Sequence, residues 1–308
     1  MVFRYHFGTN PIWPGKYRQG RIPTVHGSDI LLSFTPEFLL EACMTKTATK
    51  VSGYSRFMQT VGAAKERVLI LDYDGTIAPF STHRLRAVPY PGLPELLHQI
   101  MIECSTRLII ASGRAAHEVT SLLGMIPPPE IWGTYGAERV YADGRYEEIE
   151  VTEAALEVLL QAETSLEREG LGHLLEVKLA AVAVHWRGLK PAEILQVRTK
   201  VYRILEPLSM KSGLVLSEFE EGVEIRLRAA NKGTSVLGLL SDLTPDVPIA
   251  YLGDDITDED AFRILNDRGL TVLVNTKPRF TAAQLLLKPP DELMAFLNAW
   301  IKACGAKS

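Results

Sequence analysis

Leu69-Ile70-Leu71-Asp72-Tyr73-Asp74-Gly75-Thr76 sets two carboxylates two residues apart at the exit of a short aliphatic run. Such a run is expected of a strand buried on both faces of a parallel sheet. Carboxylates at its end are costly to bury unless a cation or a reaction uses them. Gly75 and Thr76 suit a sharp turn, and an apolar segment follows.

Outward from this stretch, strands and helices alternate. Val68–Leu71 is followed by a predicted helix over Leu93–Ile102, with Leu93, Leu96, Leu97 and Ile100 on one stripe. Leu108–Ala111 is a second strand, Ala116–Leu123 a helix stopped by Gly124, and Ile131–Gly133 a third strand. This rhythm predicts a doubly wound parallel α/β sheet. After about Glu148 the pattern changes to an α+β insertion sitting above the sheet. It holds a helix over 152–168 with Leu156, Leu159, Leu160 and Leu166 as core positions, and one half-exposed strand over Leu174–Trp186. A helix over Ala192–Leu205 and strands at Leu214–Glu218 and Gly222–Arg228 complete the insertion. The α/β rhythm returns with a helix from Asn231-Lys232-Gly233, strands at Ile249–Leu252 and Thr271–Val274, and a closing helix over Asp291–Ala303.

The domain reading is therefore a leader over 1–60, a catalytic core over 61–147 and 229–308, and a cap over 148–228. The leader is broken by Pro11, Pro14, Pro23 and several glycines, with short helices expected near Pro36–Cys43 and over 54–65. It reads as flexible or as preceding the true start, for which Met44 and Met58 are alternatives.

At 308 residues the chain is long enough for two hydrophobic cores. A net charge of −4 offers no electrostatic case for nucleic acid or an anionic membrane. Three scattered cysteines, Cys43, Cys104 and Cys304, lack metal-type spacing and point to a reducing compartment. No apolar run approaches the roughly 18 residues that span a bilayer, and no signal-peptide pattern opens the chain, so the expected location is the cytoplasm.

Asp-x-Asp-Gly-Thr at a strand exit resembles the nucleophile motif of the haloacid dehalogenase-like phosphotransferases. Ligands in open parallel sheets gather at the carboxyl ends of the strands, and four strand exits here carry polar residues that suit one phosphoryl-transfer site. Asp72 is expected to attack phosphorus and Asp74 to act as general acid and then base, while Thr76 bonds Asp74 or fixes the turn. Ser112 offers a hydroxyl to a phosphate oxygen, and Arg114 braces an acidic neighbour or meets the ligand. Lys232, at a helix start, favours an anion. Gly253-Asp254-Asp255-Ile256-Thr257-Asp258-Glu259-Asp260 is the strongest signal, because its carboxylates repel one another unless a cation or a helix N-terminus offsets them. The expected cofactor is Mg2+, held by the Asp72 and Asp254 carboxylates with the Asp74 carbonyl and water. Thr257 or Asp258 is expected to cap the next helix, and Asp255 and Asp258 are open between ligand, supporting contact and cap.

The order of these motifs is similar to that of the trehalose-6-phosphate phosphatases, over roughly residues 65–300. Ala78-Pro79-Phe80 and Trp132-Gly133-Thr134-Tyr135-Gly136-Ala137-Glu138 add to the resemblance, with Tyr135 where that family usually has histidine. The resemblance implies a cap that closes over the sugar, with Lys178 and Glu224 at positions the family uses for the glucose moieties; Thr76, Ser112, Arg114 and Glu138 complete the expected substrate contacts. Within the insertion, Glu176 and Lys178 share one face, as do His185 and Arg187; His185 lacks a second ligand nearby and is not expected to bind metal. In Val223–Arg228 the apolar set is expected to face the core and the polar set to face away. The implied reaction is hydrolysis of trehalose 6-phosphate, with functional coupling to a trehalose-6-phosphate synthase as an expected partnership. The same chemistry on sucrose 6-phosphate or mannosyl-3-phosphoglycerate, and a non-catalytic sugar-phosphate-binding regulator, are the alternatives.

Overall fold

The computed structural model describes residues 53–305, apart from positions 82, 212, 220 and 221. The helix expected near Pro36–Cys43 lies outside the described residues. The helix expected over 54–65 is present as α1, residues 53–63. It is not a loose leader, because Tyr54, Phe57, Met58 and the fully buried Val61 pack into the main core. Phe57 and Tyr54 meet Trp300 and Phe296, with ring centroids 6.1 and 6.2 Å apart. The packed region therefore begins ahead of residue 61.

Six parallel strands form the centre of an eight-stranded sheet. They are β1 (Arg67–Asp72), β2 (Thr106–Ala111), β3 (Glu130–Gly133), β10 (Ile249–Gly253), β11 (Leu270–Val274) and β12 (Leu285–Leu287). The order is β12-β11-β10-β1-β2-β3, continued by the antiparallel pair β4 (Glu138–Val140) and β5 (Tyr146–Glu148). β1 lies at the centre and is buried along its whole length, as its aliphatic run requires. On one side of the sheet lie α2 (Leu93–Glu103), α3 (Ala116–Leu123) and α8 (Asp291–Ala303). On the other lie α6 (Lys232–Asp242) and α7 (Glu259–Leu265). Leu93, Leu97 and Ile100 of the predicted α2 stripe are buried, with Leu96 packed beside them. The short hairpin β4–β5 and strand β12 carry too few residues to declare themselves by periodicity.

The chain leaves this sheet after β5 and returns at α6. Between them lie α4 (Glu153–Arg168), α5 (Pro191–Ser209) and a four-stranded antiparallel sheet of order β6-β7-β9-β8. The single strand expected over Leu174–Trp186 is instead a hairpin, β6 (Leu175–Lys178) and β7 (Ala181–His185), paired with Lys178 opposite Ala181. The sheet is completed by β8 (Leu214–Phe219) and β9 (Gly222–Leu227). α4 starts at the Thr152 cap and buries Ala155, Val158, Leu159, Ala162 and Leu166. Leu156 and Leu160, predicted as core, are exposed, because the buried stripe runs through the small alanines that let α4 approach the sheet. The architecture is thus an α/β core with an inserted α+β cap.

Candidate active site

Three strand ends and one helix start meet at the carboxyl edge of the large sheet. Asp72 is the last residue of β1 and is 5% exposed. Asn231 caps α6, its Oδ1 accepting the Thr234 N–H at 2.7 Å, a contact worth about 1 kcal/mol. That cap starts the helix at Lys232, whose charge the helix dipole opposes. Two carboxylates compensate: Lys232 Nζ donates to Asp72 Oδ1 at 2.6 Å and to Asp258 Oδ1 at 2.7 Å. Burial works against the ammonium, but Asp258 and Asp72 hold its pKa above the ordinary lysine value.

Asp258 is fully buried and belongs to a turn just after β10. Its Oδ1 also accepts the Tyr251 hydroxyl at 2.7 Å, and its Oδ2 accepts the Asp254 and Asp255 N–H groups at 3.0 Å. Each oxygen therefore serves two donors, which makes Asp258 an anchor of the loop. The expected helix cap is displaced by this role. Asp255 caps the turn, accepting the Ile256 N–H at 2.7 Å, because the Asp258 carboxylate folds back onto the strand end.

Asp72, Asp254 and Asp258 offer carboxylate oxygens within 4.8 Å of one another. Burial, opposed by Lys232 and reinforced by Asp258, pushes Asp72 up to about 7. Burial and the Asp72 and Asp258 charges raise Asp254 well above the carboxylate range. Three buried carboxylates facing one lysine leave negative charge that a divalent cation would neutralise, and the donor set is all oxygen. The residues fit a hard cation. Among the described residues, this is the cluster with that character.

Asp74 lies apart from this cluster. Arg114 holds it in a two-pronged contact, Nε to Oδ2 at 2.6 Å and Nη2 to Oδ1 at 2.7 Å. The Arg114 side chain is 6% exposed and that of Asp74 is 27% exposed, so the carboxylate opens toward the cavity. Arg114 N–H in turn donates to Ser112 Oγ at 3.1 Å, closing the Ser-Gly-Arg turn. Gly75 has φ +79°, and a Cβ there would lie 2.1 Å from Asp254 Oδ2, so only glycine allows the two motifs to meet.

A cavity of about 380 Å³ lies over these residues and is lined by both core and cap. Asp72, Asp74, Ser112, Arg114 and Lys232 form its floor. Glu176, Lys178, His185 and Arg187 come from the cap side, with Phe80, Phe219 and Tyr135 as aromatic walls. Lys178 Nζ is 3.4 Å from Glu176 Oε1, and His185 Nε2 is 2.7 Å from Glu176 Oε2. The polar set of β9 does not face away to solvent. Glu224 is fully buried behind Lys178, 3.6 Å from its Nζ and 3.3 Å from Arg226 Nε. Burial raises the Glu224 pKa against the pull of those two cations.

Three residues expected to touch a substrate do not line this cavity. Thr76 is fully buried, and its Oγ1 donates to Asp254 Oδ1 at 3.4 Å, supporting that carboxylate. Glu138 accepts Thr134 Oγ1 at 2.6 Å and the Ala116 N–H at 3.4 Å, so it ties β4 to the start of α3. Glu224 sits one layer back, as described. The loop that Glu138 holds includes two residues with left-handed backbone, Thr134 (φ 48°) and Tyr135 (φ 57°), costly for non-glycine residues. The bend is fastened by Tyr135 N–H to the Ser112 carbonyl and Thr134 N–H to the Arg114 carbonyl, both at 2.8 Å. It sets the Tyr135 ring against Gly113 and beneath two cap cations, Lys178 at 5.4 Å and Arg226 at 5.7 Å from its centroid.

Comparisons with known proteins agree with this geometry. A trehalose-phosphate phosphatase of Mycobacterium tuberculosis (strain H37Rv) is 32% identical over 250 residues, 76% of this chain and 61% of that protein. The chain thus spans 61% of the length of that relative. A bifunctional trehalose-6-phosphate synthase/phosphatase of Thermoproteus tenax is 30% identical over 235 residues, covering 70% of this chain and 29% of the relative. The C-terminal domain of a Candida albicans trehalose-6-phosphate phosphatase shares the fold, with a TM-score of 0.67 at 19% identity, over 82% of this chain and 97% of that one. The family model for trehalose-phosphatase matches residues 70–287. Since that match runs from within β1 to the end of β12, this chain belongs to the trehalose-phosphatase family.

Proposed function

We propose that this chain is a divalent-cation-dependent phosphomonoesterase that converts trehalose 6-phosphate and water to trehalose and phosphate. The observation that carries the reading is the convergence of Asp72, Lys232 and Asp254 beneath a cavity whose roof is polar cap residues. The Asp72 and Asp254 carboxylates, with the Asp74 backbone carbonyl, would hold Mg2+. Bound there, the ion would offset the charge of the phosphoryl oxygens. Lys232 orients Asp72 and adds a second positive charge.

Asp72 attacks phosphorus, forming an aspartyl phosphate as the ester P–O bond breaks. Asp74, held by Arg114, gives its proton to the departing sugar oxygen. The Asp74 carboxylate then takes a proton from water, and the hydroxide displaces Asp72 to release phosphate. Ser112 offers a hydroxyl to a phosphate oxygen, and Lys178, set by Glu176 and Glu224, meets the sugar. Cap closure excludes bulk water during both steps. The cap is assigned to residues 148–228. The fused relative makes functional coupling to a trehalose-6-phosphate synthase part of the same proposal.

The test is phosphate release, with Mg2+ present, from trehalose 6-phosphate, sucrose 6-phosphate, glucose 6-phosphate and mannosyl-3-phosphoglycerate. Strong preference for the first supports the reading. Preference for another sugar keeps the core chemistry and overturns the substrate assignment. No release from any of them by folded protein overturns the enzyme reading.

A further inference from the structure

Arg279 stands outside the strand-end motifs, in the segment joining β11 to β12, yet its guanidinium reaches the loop that carries Asp254. Nε donates to the Asp254 carbonyl at 3.3 Å, and Nη2 to the Asp254 and Asp255 carbonyls at 3.2 and 2.8 Å. Nη1 donates to Glu259 Oε1 at 2.5 Å and to the Phe280 carbonyl at 3.0 Å. Glu259 is itself tied to this segment, its Oε2 accepting the Ala282 N–H at 2.8 Å. On the N–H side, Asp258 Oδ2 accepts the Asp254 and Asp255 N–H groups, so the peptide joining Asp254 to Asp255 is held at both edges. The loop is therefore clamped from both sides, by a carboxylate on its N–H groups and a guanidinium on its carbonyls.

That clamp matters because β10 ends at Gly253, one residue short of Asp254. The sheet ladder cannot fix the backbone of Asp254, whose dihedral angles aim its carboxylate. Because each peptide is planar, the Asp258 carboxylate holds the planes before and after Asp254, but only by their N–H edges, and does not reach the plane after Asp255. The planar Arg279 guanidinium grips the plane after Asp254 by its opposite edge and adds the plane after Asp255, stiffening the turn beyond what Asp258 gives, and a lysine has no geometry to replace it. Contacts behind a metal ligand commonly change metal affinity by about 10–100-fold.

We propose that Arg279 is a positioning residue for the divalent-cation site: it sets the backbone of Asp254, and through it cation affinity, without touching cation or substrate. The inference rests on the reading that Asp72 and Asp254 hold a divalent cation. A purely structural tie, which only pins the 275–284 segment, is the competing account.

The experiment measures Mn2+ binding to the full chain without substrate, by paramagnetic resonance of free ion and by calorimetry. It compares wild type, Arg279→Ala, Arg279→Gln and Arg279→Lys, with metal-free thermal midpoints for each. The expected result is Mn2+ affinity weakened about 10–100-fold in Arg279→Ala, less in Arg279→Lys, with the metal-free midpoint little changed. Excess Mg2+ should then recover most of kcat in the same variants. Unchanged Mn2+ affinity in any folded Arg279 variant overturns the proposal, as does a loss that only tracks the metal-free midpoint. If Arg279→Ala does not fold, the glutamine and lysine variants are read by the same criteria. A wild type that binds no Mn2+ overturns the cation reading and this inference together. Failure on trehalose 6-phosphate with intact Mn2+ binding touches only the substrate assignment.

Discussion

Lys232 Nζ lies 2.6 Å from Asp72 Oδ1, joining the start of α6 to the end of β1 across 160 residues of sequence. Neither group is tolerable where it stands without the other: the aspartate is buried at a strand end and the lysine sits at the positive end of a helix. Their pairing orients Asp72 and sets a cation directly beside it.

Replacing Asp72 by asparagine keeps the shape and removes the proposed nucleophile. Asp72→Asn is expected to lower kcat by roughly 10⁴-fold or more, with the fold retained by circular dichroism. A variant near wild-type turnover would rule out Asp72 as the attacking group.

Removing divalent metal should stop the reaction. Phosphate release is expected to vanish in EDTA and to return with Mg2+, and Mg2+ should raise the thermal midpoint, since the proposed site exists only in the folded carboxylate cluster. Turnover indifferent to both treatments would remove the cation from the mechanism.

The metal-free protein is expected to lose stability as pH rises. Burial pushes Asp72 up to about 7 in the folded state, against about 3.9 for an unfolded aspartate. Between those values the folded protein holds a proton that the unfolded chain has released. This contribution is full below about pH 4 and is lost as pH rises through about 7, with a slope of about 1.4 kcal/mol per unit for one proton. Asp254, raised chiefly by burial, acts in the same direction. Thermal midpoints in EDTA should fall from roughly pH 5 to pH 8, and saturating Mg2+ should flatten that fall. Midpoints that climb over this range without metal would contradict the buried-carboxylate assignment.

Arg114 holds Asp74, the proposed proton donor, so its loss should depend on the leaving group. Arg114→Ala is expected to reduce kcat on a sugar phosphate by about 10²-fold or more, and to reduce turnover of p-nitrophenyl phosphate less, because nitrophenolate leaves without a proton. Equal losses on both substrates would place Arg114 in phosphate binding instead.

Gly75 is expected to tolerate no side chain. Gly75→Ala meets both a positive φ and the Asp254 carboxylate, and should cost about 1–3 kcal/mol in denaturant unfolding together with most activity. An alanine variant with wild-type stability would show that the turn can rearrange.

The meeting of the strand-end residues was legible because the signals that place them are local. Asp72, Lys232 and Asp254 follow apolar runs or a helix start, and each position in a parallel sheet leads to the same edge. Thr76, Glu138 and Glu224 were expected at the cavity and do not line it, since residue type does not say which way a buried polar group turns. Thr76 turns to Asp254, Glu138 to Thr134 and Ala116, and Glu224 to Lys178 and Arg226. Leu156 and Leu160 were misjudged because leucine is apolar on either face of a helix, while Ala155 and Ala162 mark the close approach. Arg279 gave no signal at all: a lone arginine in a loop becomes informative only beside the carbonyls it holds.

By itself the sequence determined the α/β core with its inserted cap, the strand ends whose polar residues meet at one edge, and the family. Periodicity and short motifs act over a few residues, so they survive without coordinates. Only the tertiary structure decided that Asp258 anchors the loop, that Arg114 holds Asp74, and that Tyr135 lies under cap cations. Those contacts join segments distant in the chain, and the energy of a buried charge depends on which partner folding brings to it.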